Sequence, residues 1–349
     1  MARHTLFITS PLEPEYVERI RAVDPAGLEL IHQPDLLPPT RYVADHKGGP
    51  FTRTEAQSRR WREAIASADI LWDCPPPAAD GPGDILQAKR LKWVQTTSSG
   101  VGQLIKRLEL DKTEVIVTTA RGVHSGPLAE FTFMALLMHF RKLRFLEAEQ
   151  RAHRWVRYCD EEVAGRTLLI IGAGDLARGV AKIGRALDMR IIAVTRSPRK
   201  PRPHAALFDE IHGVGALRRL RAGADAVVMT VPDTDETLNL LDVSAVAAIK
   251  PGSAFVNIGR GNTVDETALV AALRSGHVAF AALDVAAIEP LPPESPLWDM
   301  SNVLICPHSA STVTTENGKI TDIFCANLRC FLDGRLGAMR NVLDKVLLY

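Results

Sequence analysis

Three short apolar runs in the C-terminal half of the chain, SAFVNI, VAFAALDV and NVLICP, are each followed by a polar residue of distinct chemistry: Arg260, Glu289 and His308. The first two are separated by DETALVAALRSG, apolar at helical spacing, so the three read as consecutive parallel strands of an α/β sheet. Residues leaving the carboxyl ends of such strands line the crevice where ligands bind, which gathers a guanidinium, a carboxylate and an imidazole. Nearer the start, Thr5 to Thr9, ADILWDC and LKWVQTT read as further strands with helical pattern between them. LAEFTFMALLMHFRKLRFLEAEQ predicts one long helix, starting at a cap formed by Ser125, Gly126 and Pro127. A second long helical pattern, TTENGKITDIFCANLRCFLDG, follows His308. If the first helix carries the chain to a second lobe and the second returns it, the first lobe is discontinuous. Residues 36–60, with HKGGP in their middle, show little periodicity and read as a surface excursion.

The length, 349 residues, suits two domains better than one. Lys plus Arg number 42 against 41 Asp plus Glu, a net charge of +1 with no long run of either sign, so no footprint for nucleic acid or anionic membrane is visible. No leader pattern opens the chain, and FTFMALLMHF is too short to span a bilayer. Small-molecule partners and a cytoplasmic location are expected. The five cysteines, Cys74, Cys159, Cys306, Cys325 and Cys330, form no CxxC pair and have no His or Asp at ligand spacing, so they read as packing residues in a reducing compartment, and no metal site is expected.

The stretch VAGRTLLIIGAGDLARGVAKIGRALDMRIIAVTRSPRK reads as strand, glycine turn, helix and strand. Gly172 permits the tight turn, Gly174 lets backbone approach a pyrophosphate, and the helix N-terminus at Asp175 and Leu176 favours its charge. Ala177 fills the third small position. An acid at the end of the second strand would select the ribose hydroxyls of NAD. This chain has Arg196, Ser197, Arg199 and Lys200 there instead, which suit the additional phosphate of NADP. NADP is therefore expected, with NAD possible as a poorer coenzyme.

From Pro127 to Thr312 the chain resembles the D-isomer-specific 2-hydroxyacid dehydrogenases, and most of all their glyoxylate/hydroxypyruvate reductase branch. The residues that carry the likeness are GAGDLA, VPDTDETLNLL, NIGRGNTVDETAL, ALDV followed by EPLPPESPLW, and CPHSAST. The resemblance implies a two-lobed α/β fold, a Rossmann dinucleotide-binding domain (residues 123–309) inserted into a discontinuous flavodoxin-like substrate domain (residues 1–122 and 310–349). It implies that Arg260, Glu289 and His308 are catalytic, and that Asp284 holds the nicotinamide carboxamide while Pro232, Thr237, Ile258 and Gly259 line the cofactor. It implies too that backbone N–H groups of Ser99, Gly100 and Val101 grip the substrate carboxylate beside Arg260, and that the protein is a homodimer. The chain departs from the family pattern at Val285 to Ile288, where an aromatic residue and a further acid are usual, at Gly102, where Asp is usual, and at Ser309 and Ala310 after the histidine.

The implied chemistry needs these side chains. Reducing a 2-keto acid adds hydride to the carbonyl carbon, so the oxygen must receive a proton, and a histidine of ordinary pKa about 6.5 is only partly protonated at neutral pH. Glu289 beside it favours the imidazolium and orients it as general acid for reduction and base for oxidation. Arg260 can bind the substrate carboxylate and polarise the keto oxygen. Asp265 reads as a helix cap, and His4, His153, His212 and His277 as structural. The alternatives are a dehydrogenase for a bulkier 2-keto acid, and a dinucleotide-sensing corepressor-like binding protein on the same scaffold.

Overall fold

The computed structural model describes residues 3–348. The chain divides into two compact units, one built from the chain up to Val123 together with the part from Thr312 onward, the other from His124–Ser311.

The first unit is built on five parallel strands: β1 (His4–Ile8), β2 (Leu28–Ile31), β3 (Ile70–Trp72), β4 (Trp93–Gln95) and β5 (Ile116–Thr118). Their order, β2-β1-β3-β4-β5, is the flavodoxin-like one. Alternate side chains feed two apolar layers, as the pleat requires. Leu6, Ile8, Trp72 and Trp93 pack with Phe324 and Leu328 of the helix Glu316–Leu332, Trp93 stacking on Phe324 at 4.8 Å. Phe7, Leu71 and Val94 face the other way, toward Trp61 and Ile65. Strands β2 and β5 are not among the runs read as strands from the sequence.

Residues 36–60 are more structured than the polar pattern predicts. Leu36, Leu37, Ala44 and Asp45 are buried, and the helix Glu55–Ser67 begins inside the segment with a capping box between Thr54 and Gln57. That helix was hidden because its buried residues, Trp61, Ala64 and Ile65, all lie beyond its polar first turn.

The second unit is a seven-stranded parallel sheet: β6 (Thr167–Ile171), β7 (Arg190–Thr195), β8 (Glu210–Gly213), β9 (Ala226–Met229), β10 (Ser253–Asn257), β11 (Val278–Leu283) and β12 (Val303–Ile305). The order is β12-β11-β10-β9-β6-β7-β8. Chain direction across the sheet reverses between β6 and β9, the crevice where a doubly wound sheet takes its dinucleotide. The runs read as consecutive strands are neighbours here, β10, β11 and β12.

The long helix expected from Leu128 onward is two helices. Ser125–Phe140 is largely apolar and buried, with Gly126, Glu130 and Met134 exposed along one face, Lys142 takes a left-handed conformation (φ 52°), and Leu143–Arg151 has no buried residue. The break falls at FRKLR, where the apolar run gives way to charge and the core has nothing more to cover. Ser125 is the first helical residue, and its hydroxyl donates to the Asp175 carbonyl at 2.5 Å instead of capping its own helix. The contact is close enough that a Cβ on Gly179 would lie 2.5 Å from the Ser125 carbonyl oxygen.

Candidate active site

The glycine turn between β6 and the helix Asp175–Ala186 is fixed by sterics. Gly172 has φ +119°, and a Cβ there would sit 2.2 Å from Thr230 Oγ1. A Cβ on Gly174 would meet no atom within 4 Å, leaving open space over the helix N-terminus. That is the cradle a pyrophosphate needs: bare backbone, first-turn N–H groups without helical partners, and a favourable dipole. Asp175 would oppose an anion there, but its carboxylate lies 3.6 Å from Arg178 Nε. Leu176 turns partly into the core, so its backbone is what it can offer a ligand.

At the end of β7, Ser197, Arg199 and Lys200 are exposed, and Arg196 pairs with Glu236 at 2.7 Å. Two residues that sequence reasoning passed over shape this loop. Arg202 donates to Thr195 Oγ1 (3.2 Å) and to the carbonyls of Ser197 and Lys200 (both 2.8 Å), and His204 Nε2 lies 3.3 Å from the Ala173 carbonyl in the glycine turn. Both lie beyond the strand-end position where motif spacing directs the search.

Past β9, the Thr237 hydroxyl donates to the Pro232 carbonyl (2.6 Å) and accepts from the Thr234 N–H (2.9 Å), so it braces its own loop. Past β10, Ile258 is buried, and a Cβ on Gly259 would lie 2.8 Å from the Val231 carbonyl oxygen, which sets these two loops side by side.

Arg260 is half-buried, its Nη1 donating to the Gly259 carbonyl at 2.7 Å. Burial lowers the guanidinium pKa from its ordinary value, against the charges of Glu289, Asp233 and Asp284. Its carbonyl is held by the Asn257 amide (3.1 Å) and the Thr263 hydroxyl (2.6 Å), both from buried side chains. The next residue, Gly261, touches the loop after β11 so closely that a Cβ would fall 1.9 Å from the Ala286 carbonyl oxygen. This contact carries Glu289 toward Arg260.

Glu289 precedes Pro290 through a cis peptide. One carboxylate oxygen accepts from the Ala286 N–H (3.1 Å), the other meets His308 Nδ1 at 2.7 Å. Burial pushes the Glu289 carboxyl up, but the hydrogen bond and charge of His308, the Ala286 N–H and Arg260 outweigh it, and the net shift is below the usual carboxylate range. His308 adopts φ +53°, its N–H donating to the carbonyls of Asp284 (2.8 Å) and Cys306 (2.9 Å). Asp284, buried at the end of β11, accepts the N–H groups of Ser309 (3.0 Å) and Ala310 (2.9 Å) on one oxygen. Thus Asp284 also staples the turn that holds the imidazole, a task the motif alone does not reveal. With Nδ1 engaged by Glu289, Nε2 is the ring nitrogen left for a substrate.

In the first unit, Ser99, Gly100 and Val101 follow β4 and lead into the helix Gly102–Arg107. Gly102 is crowded, since a Cβ there would lie 2.6 Å from the Leu348 carbonyl oxygen, which gives a packing reason for its having no side chain. Burial raises the thiol pKa of Cys74 well above its ordinary value, that of Cys325 above it, and that of Cys306 to about 11, which leaves these three thiols protonated near neutrality. Among the described residues no group of three or more His, Cys, Asp or Glu could hold a metal, and no helix is long and apolar enough to cross a membrane.

A dinucleotide cradle on a parallel sheet, with a cation and a carboxylate-bound imidazole at neighbouring strand ends, defines a nicotinamide-linked oxidoreductase. The family model for the NAD binding domain of D-isomer specific 2-hydroxyacid dehydrogenases matches residues 133–310. A glyoxylate reductase of Aeropyrum pernix is 34% identical over 259 residues, 72% of this chain and 76% of that protein. A solved D-isomer specific 2-hydroxyacid dehydrogenase family protein from Aeromonas salmonicida is 28% identical with a TM-score of 0.80, covering 99% of this chain and 100% of its own. Another, from Xanthobacter autotrophicus, in complex with NADPH and MES, is 27% identical with a TM-score of 0.77 and covers 100% of both chains. The chain belongs to the D-isomer-specific 2-hydroxyacid dehydrogenase family, whose members are NAD(P)-dependent enzymes.

Proposed function

We propose that the protein is an NADP-preferring reductase that converts a small 2-keto acid, of the glyoxylate or hydroxypyruvate type, to the D-2-hydroxy acid. The observation that carries this reading is the 2.7 Å contact of His308 Nδ1 with Glu289 at the end of a dinucleotide-binding sheet. The glyoxylate reductase of A. pernix supports the substrate class, and the NADPH complex of the X. autotrophicus relative supports the coenzyme.

When bound, the reduced coenzyme supplies the hydride that becomes the C2 hydrogen of the product. Arg260 binds the substrate carboxylate and polarises the keto oxygen, with the backbone of Ser99, Gly100 and Val101 as further carboxylate donors. His308 gives the keto oxygen a proton from Nε2 and recovers one from solvent, while Glu289 holds Nδ1 and fixes the ring. The helix N-terminus at Gly174, Asp175 and Leu176, with the turn at Gly172, would hold the coenzyme pyrophosphate, and Arg196, Ser197 and Arg199 would supply cations and a hydroxyl for the 2′-phosphate. Pro232, Thr237, Ile258, Gly259 and Asp284 line the nicotinamide side. A bulkier 2-keto acid is the second reading, favoured by the small side chains of Ala286 and Ala287 in the loop before Glu289. A cytoplasmic homodimer belongs to the same proposal.

Nicotinamide absorbance with a panel of 2-keto acids, using NADPH and NADH separately, tests the reaction, the coenzyme and the substrate class. Faster turnover with NADPH and the shortest acids is expected. Equal or better turnover with NADH removes the coenzyme assignment, and no oxidation with any acid removes the enzyme. His308→Ala should lose about 10²- to 10⁴-fold in rate while still binding NADPH.

A further inference from the structure

The loop that leaves β7 at its carboxyl end reads RSPRKPRP, from Arg196 to Pro203. Arg196, Ser197, Arg199 and Lys200 are exposed along it. Pro198, Pro201 and Pro203 have no N–H, so the loop has few backbone donors with which to tie its own carbonyls. Its backbone contributes a turn bond from the Lys200 N–H to the Ser197 carbonyl (3.2 Å). One half-buried side chain adds the rest: Arg202 Nη2 donates to the Ser197 carbonyl (2.8 Å) and the Thr195 hydroxyl (3.2 Å), and Nη1 to the Lys200 carbonyl (2.8 Å). A single planar fork therefore ties the last residue of β7 to both ends of the turn Ser197–Lys200.

Two further contacts seat the loop on its own sheet. A Cβ on Gly213, the last residue of β8, would lie 3.6 Å from Pro198 Cγ, an ordinary packing distance. At the other end, His204 Nε2 lies 3.3 Å from the Ala173 carbonyl in the glycine turn after β6. All these residues belong to the unit His124–Ser311, and the loop is fixed at three strand ends of one sheet.

A loop fixed in this way favours one feature of a ligand. NADP carries a phosphate of about −1.5 to −2 charge where NAD has a neutral ribose hydroxyl. A carbonyl oxygen left loose beside that phosphate repels it, whereas the carbonyls of Ser197 and Lys200 have their negative ends on the Arg202 guanidinium. Arg196 and Arg199 are long side chains whose ordering on a ligand costs entropy, and a backbone already fixed removes its share of that cost. Both terminal nitrogens of Arg202 are occupied by loop acceptors, so it acts through the loop. We infer that Arg202 is a positioning residue for coenzyme selection, holding the turn Ser197–Lys200 in the form that accepts a 2′-phosphate and adding nothing to the parts that NADP and NAD share. This inference rests on the NADP reading above.

Adenosine 2′,5′-bisphosphate and 5′-AMP differ by the 2′-phosphate alone. Their displacement of NADPH from the protein, read by coenzyme fluorescence at fixed ionic strength, isolates that group without a keto acid. Arg202→Met keeps the stem and removes the fork; it should weaken the bisphosphate about tenfold and leave 5′-AMP within about twofold of wild type. Arg202→Lys keeps the charge but offers one ammonium to three separate acceptors, and should weaken the bisphosphate about threefold, again selectively. KM for NADPH should rise in the same order while KM for NADH stays level. Unchanged bisphosphate affinity in folded Arg202→Met overturns the inference, and so does equal weakening of both nucleotides in either variant. Wild-type bisphosphate affinity in Arg202→Lys overturns it too, because charge alone would then suffice. If Arg202→Met does not fold, the Arg202→Lys comparison decides alone. Wild-type protein that binds 5′-AMP as tightly as the bisphosphate overturns the NADP reading instead.

Discussion

The substitution Gly261→Ala adds one methyl group to a residue with no chemistry of its own. On the present backbone that carbon would lie 1.9 Å from the Ala286 carbonyl oxygen, 2.0 Å from its carbonyl carbon and 2.5 Å from the Ala287 nitrogen. Ordinary contact begins near 3.4 Å, and the obstructing atoms are backbone, so no side chain can rotate away. One of the two loops must retreat by about 1.5 Å, separating Arg260 from the Glu289–His308 pair. Misplacement of about 1 Å costs on the order of 10²-fold in rate. Overpacking of this kind costs about 1–3 kcal/mol in stability. The expected result is kcat/KM lowered about 100-fold in steady-state assays, a lower melting temperature, and NADPH affinity largely kept, because the glycine turn is untouched. Gly215→Ala is the control, since its methyl meets no atom within 4 Å. If folded Gly261→Ala keeps kcat/KM within about threefold of wild type, the loops do not share that contact and the geometry of the site is misjudged.

Glu289→Gln keeps the shape and removes the charge. A charge-assisted hydrogen bond contributes about 1.5–3 kcal/mol, and exposure of the pair (His308 40%, Glu289 38%) argues for the low end, so kcat/KM should fall about tenfold. Because the folded carboxyl titrates below the usual range, wild-type activity should persist as pH falls through ordinary carboxylate values and decline only beneath them, a limb missing from the variant. Reduction of the keto acid is the direction to measure, from initial rates taken within seconds of mixing, since reduced coenzyme decomposes in acid and the oxidation direction needs His308 deprotonated. Arg196→Asp should shift the ratio of kcat/KM for NADPH over NADH toward NADH by tenfold or more, with no loss of fold because its pairing with Glu236 is an exposed one. Asp45→Ala leaves part-buried N–H groups of its loop and the Arg41 guanidinium unmatched and should cost about 1–2 kcal/mol by denaturant unfolding. The folded Asp45 pKa is depressed, chiefly by Arg41, so its contribution is fully present above the unfolded value near 3.9 and is lost as pH drops toward the folded one. A variant whose stability deficit persists unchanged under strong acid would contradict that.

The second unit was largely legible in the sequence because parallel strands buried on both faces write themselves as uninterrupted apolar runs. SAFVN, VAFAAL and the run around Val303 carry the strands β10, β11 and β12, and their polar successors stand at the strand ends as the pattern requires. The first unit was less so: β2 and β5 went unmarked, although β3 and β4, no longer than β5, were read from ADILWDC and LKWVQTT. Lys142 splits a pattern that reads as a single helix, and nothing local marks the break, because what ends the buried stretch is the edge of the core. Ser125, chosen as a cap by residue type, bonds a neighbouring element fifty positions away. The glycine motif marks its own turn, but the role of Gly261 depends on a partner loop after β11, and no spacing rule connects the two.

Many of the buried polar groups near the proposed chemistry are spent on backbone. Asn257 and Thr263 hold the Arg260 carbonyl, Asn257 also accepts the Gly259 N–H at 3.0 Å, and Asp284 takes two N–H groups just past His308. Each fixes a turn that delivers one reacting side chain, so proton donor and guanidinium are set before substrate binds, and binding need not order them. The same logic separates two kinds of loss. Removing His308 removes a proton and should lower kcat, whereas Thr263→Val leaves every reacting group in place and loosens only the Arg260 turn. Its effect should fall mainly on KM for the keto acid, with NADPH affinity intact. If Thr263→Val lowered kcat as His308→Ala does and left KM alone, Arg260 would have to act in proton transfer and not in holding the carboxylate, and the division of roles between them would have to be redrawn.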